Sequence, residues 1–203
     1  MTPTHLFLRS LISPKLALGH VIRIELEWRT VVEAAVFVSV VNTLLTHLFN
    51  LMTYTTNQSQ ENLLGPYVDL VLNRPFLLSL IEFTKIIFIA SMLTYGGRLF
   101  SGTGTFLDNL KGVVWIHFIL IFINIGLFGA MQLNVTLAGY FVILTNFWIM
   151  WILSECAVRT HSFKSTFLVF VVGILLFMLI LALFIILVDA LGINFLERVG
   201  LSA

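Results

Sequence analysis

Five long runs of apolar residues alternate with short polar segments along this chain. They occupy residues 30–51, 76–95, 113–131, 136–157 and 166–188. A helix needs about 20 mostly apolar residues to cross a hydrocarbon core about 30 Å thick, and each run is close to or above that length. Inside hydrocarbon every backbone N–H and C=O must find a partner, which favours helices over isolated strands. The pattern predicts an all-α, polytopic membrane protein, a bundle of five transmembrane helices.

The composition supports this prediction and excludes several other classes of protein. The chain is 59% hydrophobic and 10% charged, with a mean hydropathy of +1.04. Soluble domains carry about 25% charged residues, so lipid must solvate much of this surface. A net charge of +1 with no basic run argues against a nucleic-acid partner. Cys156 is the single cysteine, which excludes an internal disulfide and any site with several cysteine ligands. We expect membrane lipids as partners and no cofactor.

Basic residues are concentrated on one side of the predicted bundle. Only Arg74 and Arg198 lie on the other side, and Lys85 lies within a run. By the positive-inside rule, the N-terminus and the second and fourth loops are cytoplasmic and the C-terminus is outside. The basic residues on the cytoplasmic side are Arg9, Lys15, Arg23, Arg29, Arg98, Lys111, Arg159 and Lys164.

The segment before the first run, residues 15–29, has two possible structures. Its second half alternates like a strand, but Ala17, Val21, Ile24 and Trp28 form a stripe at helical spacing. An amphipathic helix along the cytoplasmic interface would place Trp28 near the lipid headgroups. Alternatively, the segment extends the first transmembrane helix. Both alternatives stay open at this point.

Local signals mark the ends of the other helices. Pro75 is suited to the first turn of the second transmembrane helix. Thr105 and Asp108 resemble a capping box with Asp in place of Glu, which would begin the third. Only residues 132–135 separate the third and fourth runs, which predicts a tight antiparallel hairpin. Residues 52–73 form the longest polar segment and are expected to stay outside the membrane.

Glu82 and Lys85 stand where lipid should exclude charge. Lys85 is about ten residues into the second run, or about 15 Å deep at about 1.5 Å per residue. An unpaired charge there costs on the order of 3 kcal/mol. Their i,i+3 spacing lets them pair on one helix face. The pair is either a site for a substrate, proton or lipid headgroup, or a structural pair that packs against Asn124 or Asn146.

Two further carboxylates lie near the cytoplasmic ends of their runs. Glu33 can reach Arg29, and Glu155 can reach Arg159, each four residues away. The simpler interpretation is an interfacial ion pair on each helix. The sharper hypothesis is that Glu33, Glu155 and His161 converge at the cytoplasmic mouth of the bundle.

The remaining polar residues do not form a recognisable ligand set. His117 has no Asp, Glu, His or Cys at helical ligand spacing, so a hydrogen-bonded core histidine is favoured over a metal ligand. Asn124, Gln132, Asn134 and Asn146 are interpreted as hydrogen-bonding partners between helices in preference to a ligand site. The glycine-rich loop 96–104 follows a membrane helix and lacks a Gly-Lys-Ser/Thr continuation, which favours a hinge over a phosphate site. No nucleophile motif is present, so an enzyme is not expected.

Three local patterns resemble a known membrane domain. They are Ser13-Pro14 before an amphipathic helix, the loop 96–104 running into residues 106–110, and Glu155 followed by the basic turn 159–164. Over about residues 11–188 the chain resembles the Yip (Ypt-interacting protein) membrane domain, most closely its bacterial branch. The resemblance implies five closely spaced helices in a bacterial inner membrane.

The resemblance does not extend to the GTPase-binding features of the eukaryotic relatives. Those proteins are implicated in binding prenylated Rab-type GTPases, and their Asp-Leu-Tyr-Gly-Pro motif precedes the first span. Here Leu64-Gly65-Pro66 follows the first run, on the opposite side of the membrane, and only a short segment precedes that run. GTPase binding is therefore not expected.

Three functional hypotheses follow for a chain with a cytoplasmic segment 1–29 and a transmembrane domain 30–203. The favoured one is a non-enzymatic scaffold, lipid-organising element or accessory subunit, with a membrane-protein partner or a second copy of itself. The alternatives are a small transporter or ion pathway that uses Glu82, Lys85 and Glu33, and an intramembrane enzyme.

Overall fold

A computed structural model describes residues 8–10, 12–54 and 73–190, and within these residues it contains helices and no strand. Most of the predicted outer loop, including the Leu64-Gly65-Pro66 run, and residues 191–203 lie outside the described residues. The elements are α1 Pro14–Arg23, α2 Trp28–Tyr54, α3 Pro75–Leu99, α4 Phe106–Leu133, α5 Val135–His161 and α6 Thr166–Ala190.

The predicted all-helical, multi-pass architecture is confirmed. Four stretches, one in each of α2 to α5, are long and apolar enough to cross a membrane. The fifth apolar helix, α6, has 25 residues, of which Thr166–Ile180 form a shorter apolar stretch by the same criteria. The four candidate spans are Trp28–Phe49, Pro75–Leu99, Phe106–Leu133 and Thr136–His161.

The helix boundaries follow the predicted local signals. Helix α3 begins at Pro75. The capping box at the start of α4 forms, because Thr105 Oγ1 accepts the Asp108 backbone N–H at 3.2 Å and donates to Asp108 Oδ2 at 2.6 Å. Asn134 alone separates α4 from α5, and its side chain accepts the Leu137 N–H at 3.0 Å as an N-cap. The tight hairpin is confirmed, and Asn134 caps a helix instead of bridging two.

The N-terminal helix α1 is a separate element. It ends at Arg23, residues 24–27 are not helical, and α2 begins at Trp28. The interpretation that the segment extends the first transmembrane helix is therefore wrong. Arg23 and His20 lie in the last turn of α1, where positive charge suits the negative end of the helix dipole.

The apolar face of α1 packs on the bundle. Ala17, Leu18 and Val21 are buried, with Leu18 against α4 and α5. Of the predicted stripe, Ala17 and Val21 are thus confirmed as a packing face, whereas Ile24 and Trp28 are exposed. The stripe fails after Val21 because the helix ends two residues later, which changes the direction of the chain.

Two polar contacts hold this N-terminal region to α4. Lys111 Nζ donates to the Ile22 backbone oxygen at 3.3 Å, near the C-terminal end of α1. Trp115 Nε1 donates to Ser10 Oγ at 2.9 Å. A buried ammonium at a helix C-terminus satisfies a backbone carbonyl that the helix itself cannot.

Helix α4 is the centre of the bundle and contacts α1, α2, α3 and α5, while α6 packs against α5. The start of α2 meets the start of α4, since the Trp28 and Phe106 rings are 5.6 Å apart. The far ends of the same helices meet through the stacked rings of Phe49 and Phe128, 4.1 Å apart. We call the end of the bundle that contains Trp28, Leu99, Phe106 and His161 the basic end.

Close packing is concentrated at the basic end. Residues 109–121 of α4 are nearly all buried, whereas none of residues 122–133 is. Helix α5 shows the same contrast. Its residues 152–158 are nearly all buried, whereas its residues 139–144 are all exposed. Gly112 permits the close approach of these helices, because a Cβ there would lie 2.3 Å from Cys156 Sγ.

Candidate functional site

The predicted ion pair between Glu82 and Lys85 is present in α3. Lys85 Nζ lies 2.5 Å from Glu82 Oε2. The helix has 25 residues and is about 37 Å long, with Lys85 ten residues, or about 15 Å, from its first residue, Pro75. The pair therefore lies at mid-depth in a helix of spanning length.

The two members of this pair face different surroundings. Glu82 falls on the stripe that continues through the buried residues Ile86, Ala90 and Thr94, and its side chain is 22% exposed. The Lys85 side chain is 46% exposed. Glu82 is therefore turned towards the bundle, whereas the i,i+3 offset places Lys85 on the outward flank of the helix.

His117 of α4 lies within electrostatic range of both Glu82 and Lys85. It is buried, and its Nδ1 donates to the Val113 backbone oxygen at 2.9 Å. Among the described residues, no group of three or more His, Cys, Asp or Glu side chains is placed to hold a metal ion. The histidine has the intrahelical hydrogen bond that a core histidine requires, beside the charges of α3.

Two polar residues of α2 that the sequence analysis passed over are buried without partners. Asn42 is 8% and Thr43 is 3% exposed. The Asn42 Oδ1 and Thr43 Oγ1 atoms have no hydrogen-bond partner. Each unpaired buried group costs about 1 to 3 kcal/mol, so both need an explanation.

Asn124 and Asn146 have different surroundings. Asn124 lines a cavity of about 270 Å³ between α2 and α4, together with Thr46, Phe49 and Phe128. Asn146 is exposed, and its Nδ2 donates to the Val142 backbone oxygen of its own helix at 2.9 Å. The interpretation of Asn146 as a partner between helices is therefore wrong, because its side chain points away from the neighbouring helices.

His161 lies in a cradle of glycines at the basic end. Its Nδ1 accepts the Gly104 backbone N–H at 3.0 Å, and its Nε2 donates to the Leu93 backbone oxygen at 3.0 Å. These two bonds require the neutral ring with its proton on Nε2. A Cβ at Gly97 or at Gly102 would lie 2.3 Å from the ring. The loop that we interpreted as a hinge is thus a packing surface for this side chain.

Asn109 extends this cluster across three helices. Its Nδ2 donates to Thr94 Oγ1 and to the Thr105 backbone oxygen, each at 3.0 Å. Its Oδ1 accepts from Thr160 Oγ1 at 2.8 Å. We call the cluster of Thr94, Gly97, Gly104, Asn109, Thr160 and His161 the His161 junction.

The sequence singled out His161 as a site candidate and Gly97 and Gly104 as part of a hinge, but it did not connect them with each other or with Asn109 and Thr160. Asn109 comes directly after the capping box of Thr105 and Asp108, and Thr160 lies in the basic turn 159–164. Neither pattern indicates that the two side chains meet. The contact spans 51 positions in the sequence. Only the arrangement of α3, α4 and α5 brings the members together.

The two interfacial carboxylates behave differently. Glu33 pairs with Arg29 at 2.8 Å, as predicted, with both side chains largely exposed. Glu155 is 5% exposed, and neither its Oε2 nor the buried Nε of Arg159 has a hydrogen-bond partner. The predicted pair of Glu155 with Arg159 is not formed. Because Glu33 is exposed and bonded to Arg29, it does not join Glu155 and His161 in one site.

The chain offers three polar regions with different chemistry. The Glu82–Lys85 pair presents charge at mid-depth, the His161 junction is a network of hydrogen bonds, and Glu155 and Arg159 each have a buried polar atom without a partner. Comparisons of the chain with protein-family models, with curated protein sequences and with solved structures gave no match.

Proposed function

We propose that this protein is a non-enzymatic accessory subunit that binds a transmembrane helix of a partner protein through the exposed face of α3. The observation that carries the proposal is the half-exposed Lys85 ammonium at mid-depth. Its neighbours Ile81, Thr84, Phe88 and Met92 are also exposed. These five residues are the α3 face.

The energy of burial supports a partner on this face. A lysine at the centre of a membrane helix costs about 3 kcal/mol, and the bond to Glu82 offsets only part of that cost while lipid surrounds the ammonium. A neighbouring helix that brings a carboxylate, an Asn or a Gln would supply the missing hydrogen bonds. The flanking apolar side chains would then pack against the same helix.

The partner is a different protein rather than a second copy. A two-fold axis beside the α3 face would place Lys85 of one copy opposite Lys85 of the other, because symmetry pairs equal depths. Two like charges in hydrocarbon repel strongly. A partner helix with an acidic or amide residue at mid-depth avoids that repulsion.

Photo-crosslinking in native membranes tests the proposal. A photoreactive residue replaces Ile81 or Phe88 on the α3 face, and matched controls replace Leu175 or Leu179, which are exposed on α6. We expect the α3 positions to capture one defined membrane protein, in a segment with an acidic or amide residue, and the α6 positions to capture lipid. Equal capture from both helices, or capture of this chain only, would overturn the proposal.

One double variant separates the loss of partner binding from the loss of folding. Lys85→Leu together with Glu82→Leu removes both charges and leaves an apolar helix, which is expected to fold. We expect this double variant to lose the crosslink from Phe88 while its thermal unfolding is unchanged. Retention of the crosslink would show that the charges do not select the partner.

The location and threading belong to the same proposal. We infer a Yip-like protein of the bacterial inner membrane with a cytoplasmic N-terminus and an external C-terminus. The gathering of Arg29, Arg98, Lys111 and Arg159 at one end supports this orientation by the positive-inside rule. Single cysteines at Lys15 and Ala203, in a Cys156→Ala background, should be labelled from the cytoplasmic and external sides respectively; the reverse result would contradict it.

An ion pathway is the second candidate, and the unpaired oxygens of Asn42 and Thr43 favour it. Together with His117 and the Glu82–Lys85 pair, they could form a polar route between α2, α3 and α4. Vesicles that contain the purified protein should then conduct protons or another small ion faster than vesicles that contain an Asn42→Leu variant. Equal flux in the two preparations excludes this candidate.

A further inference from the structure

Glu155 and Arg159 form a second polar site that the α3 face does not explain. They lie four residues apart on α5, so both project from the same side of the helix. Glu155 is 5% exposed, and its Oε2 has no partner; the Nε of Arg159 is buried and also has none. Because these opposite charges do not bond to each other, each keeps a buried polar atom that a third group can satisfy.

Helix α1 forms one wall of this site. A Cβ at Gly19 would lie 3.9 Å from Cζ and Nη1 of Arg159, so the guanidinium lies directly against this turn of α1. Leu18, the neighbour of Gly19, packs against Ile152 and Cys156 on the adjacent side of α5. Arg159 therefore lies at the border between α1 and α5, at the basic end, and Glu155 lies one turn before it on α5.

We propose that this border binds a phosphoethanolamine headgroup, with its amine on Glu155 and its phosphate on Arg159. A buried carboxylate without a partner is costly, and a cationic N–H donor restores both charge balance and hydrogen bonding. A guanidinium matches the geometry of phosphate oxygens. The headgroup carries a positive amine and a negative phosphate, which complement the negative Glu155 and the positive Arg159.

The hydrogen bond that Glu155 needs restricts which amine the site can bind. The Glu155 Oε2 needs a hydrogen-bond donor, and a primary ammonium has three N–H bonds, whereas the quaternary ammonium of choline has none. A phosphoglycerol headgroup brings no cation at all. The site thus discriminates between common phospholipids by hydrogen bonding to one carboxylate.

The source of the headgroup is a lipid of the bilayer. The site lies at the end of a spanning helix, where headgroups lie, and α1 carries exposed Lys15, His20 and Arg23 on its outer surface. Residues 24–27 join α1 to α2 without helical structure, so α1 is free to lie along this end of the bundle and not in line with α2. A soluble phosphoethanolamine would offer the same charges without acyl chains.

Native mass spectrometry of the full chain measures this preference directly. The protein is released from nanodiscs with equal amounts of phosphatidylethanolamine, phosphatidylcholine and phosphatidylglycerol. We expect retained ethanolamine lipid to exceed choline lipid by about tenfold or more, the effect of one hydrogen bond to a charged group. Soluble O-phosphoethanolamine in excess should displace little of the lipid; full displacement would assign the site to the soluble compound.

Three variants test which residue causes the preference for the ethanolamine lipid. Glu155→Gln should bring the ratio close to one, because it alters the carboxylate that distinguishes the two amines. Arg159→Gln should lower the retention of both lipids, because both carry the phosphate. Glu33→Gln, an exposed carboxylate paired with Arg29, should leave the ratio unchanged. No preference in the unaltered protein would overturn the proposal, and would indicate that Glu155 and Arg159 pair with each other. A preference that survives Glu155→Gln would also overturn it. None of these results depends on the α3 face or its partner.

Discussion

The backbone N–H of Gly104 donates a 3.0 Å hydrogen bond to Nδ1 of His161, 57 residues further along the chain. This bond joins the loop after α3 to the last residue of α5. Since Nε2 of the same ring donates to the Leu93 backbone oxygen, one imidazole links α3, the loop and α5. The basic end is therefore organised around a side chain rather than around a flexible connection.

Gly97→Ala should destabilise the protein by about 1 to 3 kcal/mol, the usual cost of overpacking a tight core. The new Cβ would lie 2.3 Å from Nε2 of His161, a ring held by two hydrogen bonds. Denaturant unfolding in micelles, followed by tryptophan fluorescence, gives the free energy. Gly96→Ala is the matched control, because a Cβ there meets nothing within 4 Å; equal losses in the two variants would contradict the structure.

Asn109→Leu should cost about 2 to 4 kcal/mol, because it removes the three buried hydrogen bonds that the side chain makes to Thr94, Thr160 and the Thr105 carbonyl. The same unfolding experiment measures this loss. Asn146→Leu is the control, since its side chain is exposed and bonds only within its own helix. We expect the control to change stability by less than about 0.5 kcal/mol.

Gly112→Ala should be destabilising alone and much less so in combination with Cys156→Ala. The added Cβ would lie 2.3 Å from Cys156 Sγ but 3.7 Å from its Cβ, which is an ordinary contact. A double-mutant cycle from equilibrium unfolding should therefore show a favourable coupling of at least about 1 kcal/mol. Additive effects would mean that α4 and α5 do not approach at these residues.

Glu82→Leu should impair the protein more than the double replacement of Glu82 and Lys85 by leucine. The single variant leaves the Lys85 ammonium without its partner at mid-depth, whereas the double variant removes both charges. Gel filtration with a fluorescent tag measures the amount of folded protein that is extracted from the membrane. We expect this amount to be lower for the single variant than for the double variant. A lower yield from the double variant would show that the pair is required as such.

Local sequence signals predicted most of the secondary structure. Apolar run length predicted the long helices, and Pro75, the Thr105–Asp108 capping box and the short 132–135 connection predicted their ends. These signals succeed because a lipid solvent and helix capping act over a few residues. The end of α1 at Arg23 escaped prediction, since it depends on Lys111, nearly ninety residues away.

The candidate sites were predictable only where partners are near in sequence. The Glu82–Lys85 and Arg29–Glu33 pairs follow from i,i+3 and i,i+4 spacing. The burial of Glu155, and the meeting of Asn109 with Thr160, depend on how distant helices pack. Helix spacing alone predicted a bond from Glu155 to Arg159 that the packing does not form.

The contrast in packing between the two ends of the bundle has a mechanical consequence. None of residues 122–133 of α4 or 139–144 of α5 is buried, so we expect their tilt to follow the thickness of the bilayer at small cost. Residues 109–121 and 152–158 are interlocked and cannot follow it. We therefore expect the basic end to keep a constant shape while the other half of the bundle adapts to the thickness of the surrounding membrane.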